Sequence, residues 1–259
     1  MSVAARPVVI KVGGGALAGG ALEDLPRLLS AGHRVAVVHG GGVRLTRMLD
    51  ALGIPTQFHA GLRVTDEGTL EVAEVVLAGG VNKNLARGLN ALGVPAAGIS
   101  GTDGPTLLVE AVPDLGRVGK VVHVETLLVE ALWAGGFVPV VAPLGLGPEG
   151  AYNVNADSAA AALAVGLGAG HLFLLTDVDG LLEEGEPVEK ITPDRCEGYV
   201  DSGLAAGGMV PKLRAAAEAA RGGVEARILN GNRKGALAAA VAGERVGTLI
   251  SEGVAACKQ

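Results

Sequence analysis

Two lysines in this sequence stand beside glycine-rich backbone. Lys11 ends an apolar run and is followed by Gly13, Gly14 and Gly15. Lys212 follows Gly207 and Gly208, with Met209, Val210 and Pro211 between. Glycine lets backbone N–H groups approach an anion closely, and a lysine adds a mobile positive charge, so each pairing suits phosphate. At Lys11 the plain alternative is a strand-ending lysine before a turn. The order is not that of a P-loop, because Lys11 precedes its glycines and no Gly-Lys-Ser/Thr follows. Lys212 lies at a predicted helix start, where a cation opposes the helix dipole. An anion bound between them removes that conflict.

The stretch Val37-Val38-His39-Gly40-Gly41-Gly42 repeats the theme. Three consecutive glycines at a strand-to-helix junction weaken local structure for no packing gain. Their N–H groups open a helix N-terminus, a natural anion site. A flexible loop is the alternative, and His39 is read as structural or orienting rather than as a base. Arg63 lies within Gly61-Leu62-Arg63-Val64-Thr65-Asp66. It has the fork to grip a carboxylate through two parallel hydrogen bonds, though without context a surface arginine is the simpler reading. Asn153, Asn155 and Asp157 alternate at the start of an Ala-rich stretch. A helix cap needs one such residue, not three. Two amides can hold polar groups of a substrate, and one carboxylate can position two lysines. The run Thr176-Asp177-Val178-Asp179-Gly180-Leu181 either contacts a nucleotide's ribose or base or is a plain turn.

Holding these groups in place requires alternating strands and helices. Residues 8–12, 34–38, 94–99, 137–142, 171–175, 224–228 and 248–250 read as short strands. Residues 23–30, 43–51, 70–78, 82–91, 125–134, 156–167, 212–220 and 235–242 read as helices. Thr192-Pro193 has the form of an N-cap with a first-turn proline. Residues 107–109 and 120–124 predict an antiparallel hairpin. The alternation predicts an α/β fold with a mostly parallel central sheet. Ligands of such sheets sit beyond the carboxyl ends of the strands, where the glycine loops fall. No low-complexity linker or tandem repeat interrupts the chain, and a soft boundary is expected near 147–150.

Composition narrows the partners. With 259 residues and 49% apolar content, a sizeable core is available. Aromatics are only 2%, so aliphatic side chains must fill that core. The net charge is −6, with no Lys/Arg run and no aromatic platform, which argues against nucleic acid and anionic membrane as partners. A local positive pocket for a small anion is compatible with that balance. Cys196 and Cys257 are too few for a zinc site, and a reduced, cytoplasmic protein is the expectation. Lys11 interrupts the first apolar run too early for a signal peptide or a membrane span.

Taken in order, Lys-Val-Gly-Gly, His-Gly-Gly-Gly, Gly-Leu-Arg-Val-Thr-Asp, Asn-Val-Asn-Ala-Asp, Thr-Asp-Val-Asp-Gly and Gly-Gly-Met-Val-Pro-Lys resemble the amino-acid kinase family over nearly the whole chain. Gly-Leu-Arg-Val-Thr and Asn-Val-Asn-Ala-Asp resemble its acetylglutamate branch. The resemblance implies a three-layer α/β/α sandwich. It implies an N-terminal lobe, 1–147, for the amino acid and dimerisation, and a C-terminal lobe, 148–259, for ATP, sharing one sheet. It further implies ATP-dependent phosphorylation of the γ-carboxylate of N-acetyl-L-glutamate. On this resemblance Lys11 and Lys212 stabilise the transferred phosphoryl group and Asp157 organises them. Gly41, Gly42, Arg63, Asn153 and Asn155 bind the amino acid. Gly13, Gly14, Asp177, Val178, Asp179, Gly180, Leu181, Leu182, Gly208 and Met209 bind phosphate or nucleotide. Mg²⁺ arrives bound to ATP, with no dedicated protein site, and the enzyme is a homodimer. Relatives inhibited by arginine carry an extra N-terminal helix. Only about seven residues precede the first strand here, so no arginine inhibition is expected.

Two rivals share the fold. One is a kinase for aminoadipate on an acidic carrier protein, which would need a basic docking surface on this acidic chain. The other is a non-catalytic amino-acid sensor, which would be expected to lose the lysines or the aspartate.

Overall fold

The structure is a computed structural model that describes residues 6–13, 19–59 and 61–252. At its centre is an eight-stranded sheet. Its order is Lys190–Ile191, Thr248–Ile250, Glu225–Asn230, His171–Thr176, Val8–Val12, Val35–His39, Val138–Ala142 and Ala96–Ser100. All neighbours run parallel except Glu225–Asn230 and Thr248–Ile250. Both faces are covered, so the inner strands read as unbroken apolar runs.

Strand parity decides which way each side chain looks. Val8, Ile10 and Val12 point into one core with Leu25, Leu89 and Leu237. Val9 points into the other, with Ala160, Leu163 and Leu213. Lys11 shares the parity of Val9, so it is aimed at the face covered by helices Ala156–Gly166 and Met209–Arg221. Those helices bring their own stripes. Asp157, Ala160, Ala161 and Ala164 recur at helical spacing on one, and Lys212, Ala215, Ala216 and Ala219 on the other. The alanines of both stripes belong to the core. Small side chains let the two helices close on each other and on the sheet, bringing their polar first turns together.

A second, smaller unit is a closed four-stranded barrel of Gly150–Val154, Val118–Val124, Leu107–Ala111 and Leu144–Gly147. Its Leu107–Ala111/Val118–Val124 pair is the expected hairpin, with a bulge between Leu108 and Val109. The boundary expected near 147–150 is the turn of a further hairpin in which Gly147 pairs with Gly150. The helices expected at 70–78 and 82–91 join into one helical run. It is α over Glu67–Ala73, π over Glu74–Val81 and α again over Asn82–Ala91. Gly79 and Gly80 lie between the two expected helices, and the chain widens there instead of stopping. Helix Leu127–Ala134 is fixed to the sheet by Trp133, whose Nε1 donates to Val35 O at 2.7 Å. The Arg34 guanidinium lies 5.0 Å from the centre of that ring.

Candidate active site

Asp157 stands between the two lysines. The Lys11 ammonium is 2.8 Å from Oδ1 and the Lys212 ammonium 3.5 Å from Oδ2. Lys11 and Asp157 are almost wholly buried and Lys212 nearly so. Lys212 also donates to Gly208 O at 3.4 Å, one turn back. Burial holds the Lys11 pKa below the ordinary lysine value; Asp157 opposes that shift and Lys212 adds to it. Two cations share one carboxylate, so the cluster carries an uncompensated positive charge. A group of anionic oxygens would complete it.

The glycine loop lies beside this cluster, at the carboxyl ends of Val8–Val12 and Val35–His39. Gly40 N donates to Val12 O at 2.7 Å. Gly41 caps helix Gly42–Ala51 with no side chain of its own to offer. A Cβ on Gly41 would lie 2.6 Å from Leu77 Cδ2 and 3.2 Å from Val81 Cγ2, so a larger residue would have to push these side chains of the π segment aside. His39 is fully buried. Its Nδ1 is 2.6 Å from Gly40 O, which assigns the proton to Nδ1 and leaves Nε2 as acceptor. Desolvation lowers its pKa to about 4, against which the Gly40 bond works. The ring is therefore neutral and tied to the loop at Gly40.

Arg63 is buried rather than on the surface. Its Nη2 donates to Thr46 Oγ1 at 2.7 Å and to Gly42 O at 3.4 Å, and its Nη1 to Thr56 Oγ1 at 3.1 Å. The guanidinium lies 4.7 Å from the Phe58 ring centre. Asn153 Nδ2 donates to Thr65 Oγ1 at 3.1 Å, and Thr65 donates to Arg63 O at 2.9 Å. Asn155 caps helix Ala156–Gly166, accepting from Asp157 N at 2.9 Å and Ser158 N at 3.1 Å. Its side-chain oxygen is thus engaged in holding the turn that carries Asp157.

These residues surround one cavity of about 890 Å³. Lys11, Gly13, Gly41, Gly42, Arg63, Asn153, Asn155 and Asp157 all line it. Arg44 and Arg47 line it too, and the sequence reading missed them because helix-borne arginines carry no motif. Among the described lining residues four cationic side chains face one carboxylate, so the cavity is positive inside an acidic protein. Lys212 reaches the site through Asp157. Asp177, Val178, Asp179 and Gly180 lie apart from this cavity, in the turn after strand His171–Thr176. Leu181 is buried in the core, while its N–H donates to Thr248 Oγ1 at 2.9 Å. Leu182 is exposed in a short strand. Asp179 accepts from Asn230 Nδ2 at 3.0 Å. Gly208 precedes helix Met209–Arg221, and Met209 packs against the core. Gly14 lies outside the described residues.

The amino acid kinase family model matches residues 6–230. The chain is 74% identical to the acetylglutamate kinase of Rubrobacter xylanophilus over 247 residues, covering 95% of this chain and 98% of that protein. Among solved structures, that of smu.665 from Streptococcus mutans UA159 is similar with a TM-score of 0.83 and 31% identity, covering 94% of this chain and 98% of that one. N-acetylglutamate synthase from Neisseria gonorrhoeae, complexed with coenzyme A and N-acetyl-glutamate, is similar with a TM-score of 0.82 and 28% identity, over 96% of this chain and 60% of that one.

Proposed function

This chain belongs to the amino acid kinase family, and we infer that it transfers the γ-phosphoryl group of ATP to the γ-carboxylate of N-acetyl-L-glutamate, a step of arginine biosynthesis. The 74% identity to an acetylglutamate kinase along nearly the full length of both chains supports this substrate over a carrier-linked one. The observation that carries the chemistry is Asp157 bridging Lys11 and Lys212 at the edge of a cation-lined cavity.

The acceptor carboxylate, with an ordinary pKa of roughly 4.3, is already ionised at neutral pH, so no general base is needed. The obstacle is repulsion between two anions. Lys11 and Lys212 flank the transferred group and neutralise charge as it spreads over the phosphoryl oxygens. The Gly41 N–H adds a donor, and Asp157 keeps both ammoniums in place. Arg63 holds the α-carboxylate and Asn153 the acetylamino group. A carboxylate oxygen bonds to phosphorus as the bond from phosphorus to the β-phosphate oxygen breaks, leaving ADP and an acyl phosphate. Mg²⁺ in this reading comes with the nucleotide, shielding its phosphates. The turn at Asp177, Val178, Asp179, Gly180, Leu181 and Leu182, with Gly208 and Met209, takes the nucleotide. Residues 1–147 serve the amino acid and the dimer, and 148–259 serve ATP. The protein works as a cytoplasmic homodimer.

The test is ATP-dependent hydroxamate formation, in which hydroxylamine traps the acyl phosphate. Signal is expected with N-acetyl-L-glutamate and not with free glutamate or N-acetylaspartate. Absence of hydroxamate from protein that still binds ATP would overturn the assignment.

A further inference from the structure

One buried polar residue has no part in the chemistry described so far. Asn82 is fully buried where the π segment Glu74–Val81 passes into helix Asn82–Ala91. Its Nδ2 is 2.8 Å from Val140 O, 3.0 Å from Ile99 O and 3.2 Å from His39 Nε2. The two carbonyls belong to neighbouring strands of the central sheet. Among the described residues its Oδ1 has no hydrogen-bond partner, and a Cβ on Gly98 would collide with it. A buried, unpaired oxygen is destabilising. A leucine of similar size would fill the same helix–sheet contact and remove that oxygen, while taking this donor from the two sheet carbonyls. What leucine lacks is the amide, whose two hydrogens are shared among the two sheet carbonyls and, at the longest of the three distances, His39 Nε2.

His39 passes the constraint on. With Asn82 at Nε2 and Gly40 O at Nδ1, the imidazole has both nitrogens occupied. The carbonyl of Gly40 and the N–H of Gly41 belong to one planar peptide and point in opposite directions. Fixing the first therefore aims the second. Leu77 and Val81 wall the loop from the other side.

We propose that Asn82 is a positioning residue for phosphoryl transfer, acting through His39 and the Gly40 carbonyl to aim the Gly41 N–H at the transferred group. This rests on the kinase reading above. The test is steady-state hydroxamate kinetics on Asn82→Leu, His39→Leu and the double variant, with folding followed by circular dichroism. The parent enzyme is run first: an inactive parent defeats the kinase reading, whereas the outcomes below concern Asn82 alone. Asn82→Leu is expected to lower kcat about ten- to a hundredfold, the scale of a displaced catalytic group. KM for both substrates should stay within about threefold. The double variant should be no worse than the poorer single, because the effect runs through one chain of contacts. Parental kcat in folded Asn82→Leu, or single effects that multiply in the double, would overturn the proposal. If Asn82→Leu does not fold, His39→Leu decides by itself: a kcat loss at constant KM supports the chain of contacts, and parental kcat ends it.

Discussion

Lys11 and Lys212 come from opposite ends of the chain and rest on the two oxygens of the same carboxylate, Asp157, at 2.8 and 3.5 Å. Strand parity aims the first and a helical stripe of alanines aims the second. The arrangement makes Asp157 the joint on which both cations depend. Lys11→Ala and Lys212→Ala should each lower kcat by about 10²–10³ with smaller changes in KM. Asp157→Asn should also lower kcat, because both ammoniums lose their common anchor. Near-parental turnover in either lysine variant would remove that residue from the mechanism.

Arg63 is held by two threonine hydroxyls and an aromatic face before any substrate arrives. Arg63→Ala should mainly raise KM for N-acetyl-L-glutamate. Arg63→Lys should rescue little, since an ammonium lacks the two-pronged fork. Thr46→Val should shift the same parameter less, by loosening one prong. A variant that weakened only ATP binding would reverse the assignment of substrates to the two sides of the site.

Protonation gives two tests of opposite kind. His39 is held neutral, with a pKa of about 4 against an ordinary 6.5. Between these values the unfolded chain binds the extra proton, so stability rises with pH across the window and is lost on acidification. Moving from about pH 7 to pH 5 should cost about 2 kcal/mol through this residue. His39→Asn should lose less over the same interval in urea titrations. Equal losses in parent and variant would show that His39 does not carry the effect.

Lys11 is expected to limit the basic side of activity. Its pKa lies below 10.5 because of burial. The unfolded chain keeps its proton longer, so this residue raises stability as pH climbs while removing the charge that the reaction uses. A fall in kcat/KM should therefore begin at a pH where the fold is not weakened. A pH–rate profile flat to 10.5 would separate the charge of Lys11 from the rate.

Gly41 is fixed by its neighbours. Gly41→Ala should lower activity, since its methyl group pushes against the Leu77 side chain. Leu77→Ala in that background removes the obstructing atoms and should restore part of it. Failure of the second change to restore any activity would indicate that the methyl blocks ligand rather than the π segment.

The residues that meet at Asp157 were legible because a polar cluster leaves marks in spacing. A lysine next to glycines, or three polar residues alternating before alanines, has few structural reasons to exist. Asn82 left no such mark, for an asparagine within a helical run looks like any surface position until the sheet carbonyls surround it. The barrel strands Leu144–Gly147 and Gly150–Val154 were also hidden. Their glycines mimic a linker, and their partners are distant in sequence. The π segment was misread for a related reason. Gly79 and Gly80 weaken a helix locally, but packing of Val76, Leu77 and Val81 against the neighbouring helix and loop keeps it continuous.

The nearly aromatic-free interior has an optical consequence. Trp133 is the chain's single tryptophan, and its indole is bonded to a central-sheet carbonyl beneath a guanidinium. Trp133 is not among the residues that line the cavity. Intrinsic fluorescence excited at the tryptophan band is thus a single-reporter signal. It registers whether helix Leu127–Ala134 is seated on the sheet, with no second indole to blur the transition.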